Sequence, residues 1–205
     1  MSILHYFSKD PNKRAKFIFN FIAPVYNKVD DILEKSFQES VNILKKEINI
    51  ENAKVVDLGT GTGAWGNILL KNGAESVIGI DFARKMLNKA KSKHPDMDFD
   101  TGDAENLEKI DDNSFDIATA SYVLHGVKQD RRKKILSEMK RVSKKYVIIH
   151  DFVGKTPRFI RFLEFMEKSD YKFFKKNFCN ELKTMFSNVR SIKSRDGAGL
   201  YIAEI

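Results

Sequence analysis

At 205 residues, 42% hydrophobic and 31% charged, the chain is large enough to bury one core and most simply forms a single domain. Its one cysteine, Cys179, excludes an internal disulfide and a multi-thiolate zinc site, and no metal site is expected. No run reaches the ~18 apolar residues of a membrane span, so a cytoplasmic protein is expected, while a net charge of +8 keeps nucleic acid open as a partner.

The first 50 residues carry an aromatic cluster, Phe17, Phe19, Phe21 and Tyr26, and then a helical pattern from Asp30 to about Ile48. They form an expected helical cap over 1–50. Residues 51–152 form a cofactor-binding half. Within it Val55-Val56-Asp57-Leu58-Gly59-Thr60-Gly61-Thr62-Gly63 reads as a buried strand entering a glycine loop, with a helix opening at Ala64. Glycines let the backbone approach a ligand more closely than a Cβ allows, and the first helical turn offers unpaired N–H groups beside it. The next apolar run ends in Asp81, an acid placed to hold a ribose.

Strands are expected near 53–58, 76–81, 97–100, 115–120 and 146–151. Helices lie between them, marked by Met86, Leu87 and Ala90 and by Ile135, Leu136, Met139 and Val142. This alternation predicts an α/β fold, a doubly wound, mostly parallel sheet with helices on both faces. The segment 153–205 adds substrate-side helices, one through Phe159, Phe162, Leu163 and Met166 and another through Phe178, Leu182, Met185 and Phe186. It closes with a hairpin turning at Asp196-Gly197.

The ligand is chosen by charge. Gly61-Thr62-Gly63-Ala64-Trp65-Gly66 has the G-x-G-x-x-G spacing, so a nicotinamide cofactor is considered. Asp57 before the first glycine and Asp103 in Gly102-Asp103-Ala104 add carboxylates that would repel a pyrophosphate but not a sulfonium carrying an ammonium group. At these residues the chain resembles the class I S-adenosylmethionine-dependent methyltransferases. Asp57 to Gly63 is similar to their first motif, Ile78 to Phe82 to their ribose-binding strand end, and Gly102-Asp103-Ala104 to their adenine contact. Ser114 to Ile117 with Ala120 to His125 is similar to their fourth strand and following loop. Phe19 to Asn27 resembles the amino-terminal cap of their ubiquinone/menaquinone-type group, where a tyrosine followed by an acid lies near the cofactor; Asn27 stands in the acid's place.

The resemblance implies a seven-stranded, Rossmann-like sheet with an antiparallel C-terminal hairpin, and S-adenosyl-L-methionine as cofactor. It implies cofactor contacts from Tyr26, Asp57, Gly59, Thr60, Gly61, Asp81, Phe82, Gly102, Asp103, Ala104 and Ser121. The chemistry is an in-line displacement that rests mainly on alignment. If a base is used, His125 in the loop after the fourth strand is the best placed, and His150 and Asp151 come second. Against these stand capping or packing readings for His125, Asp81 and Trp65.

Most of the 16 phenylalanines lie outside 53–150, which favours an apolar or aromatic small-molecule acceptor. An RNA or protein substrate on the basic surface is the alternative. The positive runs at Arg131-Arg132-Lys133-Lys134, Lys144-Lys145 and Lys175-Lys176 are interspersed with acids such as Asp130, Glu138 and Glu181, as in a solvated surface. A nicotinamide-dependent reductase and a silent adenosylmethionine-binding module also remain. Tyr171 and Lys175 match a Y-x-x-x-K spacing, read as a surface coincidence on a helix.

Overall fold

Alternating apolar side chains explain the architecture. In strand β1 (Lys54–Leu58) Val55 packs to one side of the sheet, Val56 and Leu58 to the other. Strands apolar on both faces must be covered on both. The computed structural model describes residues 34–154, 170–194 and 197–205. A helix over residues 34–47 (α1) and helix α2 (Ala64–Lys71) cover one face through Phe37, Val41, Leu44, Trp65, Ile68 and Leu69.

After β2 (Ser76–Asp81), α3 (Arg84–Lys93) packs over β2 and β3 (Asp98–Thr101). Next come β4 (Phe115–Ser121), a 3-10 turn at Leu124–Gly126 and α4 (Gln129–Val142), which runs directly into β5 (Ser143–Phe152). Helix α5 (Tyr171–Lys183) precedes β6 (Asn188–Lys193) and β7 (Ala198–Glu204). Ile135, Leu136 and Met139 of α4 and Phe174, Phe178 and Leu182 of α5 cover the second face.

The seven strands lie in the order β3-β2-β1-β4-β5-β7-β6, as expected for the doubly wound sheet. Pairing is parallel from β3 to β5, and β7 is antiparallel to both β5 and β6. Strand order reverses between β1 and β4, which opens a crevice beyond their carboxyl ends, the place where such sheets bind ligands. The expected start of β5 at 146 is corrected to Ser143. Phe115 pairs Ser143 and Ile117 pairs Tyr146, so a bulge lets the strand begin at the last turn of α4, where Ser143 Oγ donates to Met139 O at 2.5 Å. Among the described residues no helix is long and apolar enough to cross a membrane. The aromatic cap before residue 34, the helix expected around Phe159 to Met166 and Asp196 of the hairpin turn lie outside the described residues.

Candidate active site at the strand ends

The glycine loop is tied down from β2. Gly59 and Thr60 donate their N–H groups to Ile80 O at 2.8 and 3.1 Å, and Gly61 donates to Asp81 Oδ2 at 2.9 Å. Gly59 and Gly61 have φ of +67° and +56°, a region that favours glycine. A Cβ on Gly59 would lie 2.7 Å from Val123, so the loop packs against the β4 end there, whereas one on Gly61 would make only ordinary contact with Met86 at 3.8 Å. Asp81 Oδ1 accepts from Ala83 N at 2.7 Å, so the carboxylate both turns the chain toward α3 and holds the glycine loop. Burial pushes its pKa up, opposed by these two hydrogen bonds.

Asp57 is fully enclosed at the end of β1. Thr60 Oγ donates to its Oδ2 at 2.6 Å, and Oδ1 has no hydrogen-bond partner among the described residues. Burial pushes its pKa up to about 7 against the opposing Thr60 bond, with the Asp81 charge adding to the rise. A buried carboxylate with one oxygen unanswered is a place for a cationic group. Next to Asp81, Phe82 is 43% exposed, an apolar ring open to a ligand. Gly102 donates to Asp81 O at 3.2 Å, Asp103 Oδ1 accepts from Glu105 N at 3.0 Å in a local turn, and Ala104 is half-buried. Left-handed glycine loop, buried carboxylate with an oxygen unpartnered among the described residues and exposed ring together fit a cofactor that carries a cation and an adenosine.

On the other side of the crevice Tyr122 adopts φ +53°, rare for a bulky residue, and donates its N–H to His150 O at 2.8 Å. His150 is fully buried and stacked on Trp65, centroids 4.7 Å apart, with Nδ1 3.0 Å from Ser121 Oγ and Nε2 3.0 Å from Ser40 Oγ. Burial holds its pKa down at about 4, so the ring is neutral near pH 7. Trp65 Nε1 donates to Thr119 Oγ at 3.0 Å, so this tryptophan is packed into the fold beneath the site.

His125, in the 3-10 turn after β4, is bound to Asp151 at the end of β5. The two residues are 26 positions apart, with Nδ1 2.8 Å from Asp151 Oδ1 and the His125 N–H 3.2 Å from Oδ2. Rings of Tyr122, Phe152, Tyr171 and Phe174 lie 4.9 to 6.5 Å from the imidazole. Tyr171 is therefore buried on α5, not a surface residue, and Lys175 sits over its ring at 5.4 Å as the i,i+4 spacing allows.

Two residues read from the sequence as surface charges, Arg132 and Glu181, belong to this framework. Arg132 is fully buried, bonded to Glu181 and Asp170 and to the carbonyls of Leu124 and Val127. It lies three and four residues before Ile135 and Leu136, a spacing that puts it on the apolar face of α4, and the surrounding charge run conceals that signal. Tyr26 lies outside the described residues.

Residues 55–146 match the family model described as a methyltransferase domain. Over 138 residues the chain is 37% identical to a demethylmenaquinone methyltransferase of Paenarthrobacter aurescens, covering 66% of this chain and 53% of that protein. It is 35% identical to a ubiquinone/menaquinone biosynthesis C-methyltransferase of Campylobacter jejuni, covering 65% and 61%. The chain thus spans just over half the length of such relatives. Among solved structures, a SAM dependent methyltransferase from Aquifex aeolicus shares the fold with a TM-score of 0.66 at 21% identity, over 97% of this chain and 100% of that one. Magnesium protoporphyrin IX methyltransferase from Synechocystis, solved with SAH bound, does so with a TM-score of 0.61 at 18% identity, over 83% and 82%. With the glycine loop, the two strand-end acids and this sheet order, residues 55–146 are similar to a methyltransferase domain, and the chain shares the fold of SAM-dependent methyltransferases.

Proposed function

We propose that the protein transfers a methyl group from S-adenosylmethionine to a small aromatic acceptor of the demethylmenaquinone kind. The observation that carries the reading is Asp57, a buried carboxylate whose Oδ1 has no partner among the described residues, beside a left-handed glycine loop and a second strand-end acid. That arrangement suits a cationic adenosine cofactor and would repel the pyrophosphate of a nicotinamide dinucleotide. The names of the two relatives support a small-molecule acceptor over RNA or protein.

In this reading Asp57 faces the cationic end of the cofactor, with Gly59, Thr60 and Gly61 cradling it. Asp81 binds the ribose, Phe82 flanks the adenine, and Gly102, Asp103 and Ala104 line its edge. Ser121 closes the β4 side, and Tyr26 is assigned the family's cofactor-side position. When bound, the cofactor supplies an electrophilic methyl on a sulfonium. The chain itself must align the acceptor and exclude water, and alignment alone accounts for up to ~7–11 kcal/mol of barrier lowering. The aromatic side chains of Tyr122 after β4 and Phe152 at the end of β5, with Tyr171 of α5 packed against Phe152, are suited to both roles.

Calorimetry with adenosylhomocysteine and with NADH tests the cofactor, and methyl incorporation into reduced demethylmenaquinone tests the acceptor. Adenosylhomocysteine is expected to bind, with Asp81→Ala weakening it about 10 to 150-fold through the loss of charge-assisted hydrogen bonds. Unchanged affinity in that variant, or preferential binding of NADH, would sink the assignment.

A further inference from the structure

We propose that Asp151 is a positioning residue that sets His125 as the general base of methyl transfer, an inference that rests on the methyltransferase reading above. Asp151 is fully buried, and its carboxylate is met by three N–H groups: His125 Nδ1 and Phe152 N on Oδ1, both at 2.8 Å, and His125 N on Oδ2 at 3.2 Å. Two of the three come from one residue, so the carboxylate fixes the imidazole relative to its own main chain. A carboxylate accepts only, hence Nδ1 carries the hydrogen and Nε2 the lone pair.

The turn is held from its far side as well. Arg132 donates to the carbonyls of Leu124 and Val127, which bracket His125, and is itself anchored by Glu181 and Asp170. Both strands that deliver the pair, β4 and β5, end at the crevice, and the four aromatic rings around His125 limit water there. His150, the other histidine at these strand ends, is a poor base, because both its nitrogens are engaged by serines and burial disfavours its charged form.

The step balances as the exchange of one acceptor proton for one methyl group. The proton of an acceptor hydroxyl passes to His125 Nε2, and the acceptor's electron pair forms the bond to the methyl carbon. The pair of the broken carbon–sulfur bond stays on sulfur and cancels its charge, and the imidazolium later returns its proton to water. If the acceptor atom is a ring carbon, that carbon loses its hydrogen to water as the hydroxyl is restored, and one proton is still released overall.

Asparagine at 151 has one acceptor oxygen where the carboxylate has two, so one of the three N–H groups loses its acceptor or Nδ1 must give up its hydrogen. Long-range 1H–15N spectra of the full chain read the tautomer without any acceptor present. The expected result is Nδ1–H on His125 in the unaltered protein, and a shift toward Nε2–H in Asp151→Asn. With reduced demethylmenaquinone, kcat of Asp151→Asn should fall about 10²-fold or more while adenosylhomocysteine affinity and KM stay within about twofold. His125→Asn, which keeps an amide to face Asp151, should show the same kcat loss and guards against misfolding of the first variant.

An Nε2–H tautomer in the unaltered protein would overturn the proposal, as would full turnover in His125→Asn. Failure of the unaltered protein to methylate the quinol, with adenosylhomocysteine still bound, would overturn the acceptor reading and the assigned base with it. The correct tautomer with losses confined to KM would reduce Asp151 to a packing role and reject it as the residue that sets the base.

Discussion

Asp57 and Asp81 present two buried carboxylates to one glycine loop, and both are driven toward the protonated form by burial. For Asp57, with a pKa of about 7, a cationic ligand must shift the residue to its ionised form, so binding is coupled to proton release. Adenosylhomocysteine, which carries the same ammonium group, should therefore bind up to about tenfold more weakly for each pH unit below 7 and level off above it. Calorimetry in buffers of different ionisation enthalpy should show close to one proton released at pH 6, and Asp57→Asn should abolish the dependence; an unaltered slope in that variant would reject Asp57 as its source. The placement of Asp57, Gly59, Gly61 and Asp81 at adjoining strand ends was legible in the sequence, because it follows from short spacings after apolar runs. The pairing of His125 with Asp151 was not, since their separation in sequence carries no local signal and only the parallel register of β4 and β5 brings them together.

Among the elements, the alternation of strand and helix was readable because the central strands are apolar on both faces and the covering helices keep an apolar stripe. What local pattern concealed was the junction of α4, α5 and the 3-10 turn, where Arg132 lies between the carboxylates of Glu181 and Asp170 and within 5.4 and 5.8 Å of the Phe174 and Phe178 rings. A charge run is ordinarily a solvated face, and one arginine of this run faces inward. Removing it strands Glu181, itself 5% exposed, without a counter-charge. Arg132→Met should therefore cost about 3–5 kcal/mol in urea unfolding. Adding Glu181→Leu should recover much of that loss, because the pair then leaves together; strictly additive losses in the double variant would show that the two side chains act independently.

At the scale of the whole molecule, two buried groups beside the crevice tilt the stability curve in opposite directions. Between pH 3.8 and about 7 the unfolded chain has released the Asp57 proton and the folded chain has kept it, so this group makes stability fall as pH rises, by ~1.4 kcal/mol per unit. Between about 4 and 6.5 the unfolded chain protonates His150 while the folded chain leaves it neutral, so this group makes stability rise with pH at the same rate. Across pH 4 to 6.5 the two slopes offset, and neither is visible in the intact protein. Substitution should expose them. Relative to the unaltered curve, Asp57→Asn should gain stability with increasing pH over that window by about 3 kcal/mol, and His150→Gln should lose a comparable amount, whatever constant offset each substitution adds. Asp81, also raised, remains in both variants and drops out for His150→Gln, whereas for Asp57→Asn the difference curve reads the interacting carboxylate pair. Urea unfolding at half-unit pH steps measures the difference curves directly. Parallel curves for variant and parent would mean that the buried carboxylate and the buried imidazole titrate alike in the folded and unfolded chains, and that burial at the crevice is looser than the fold implies.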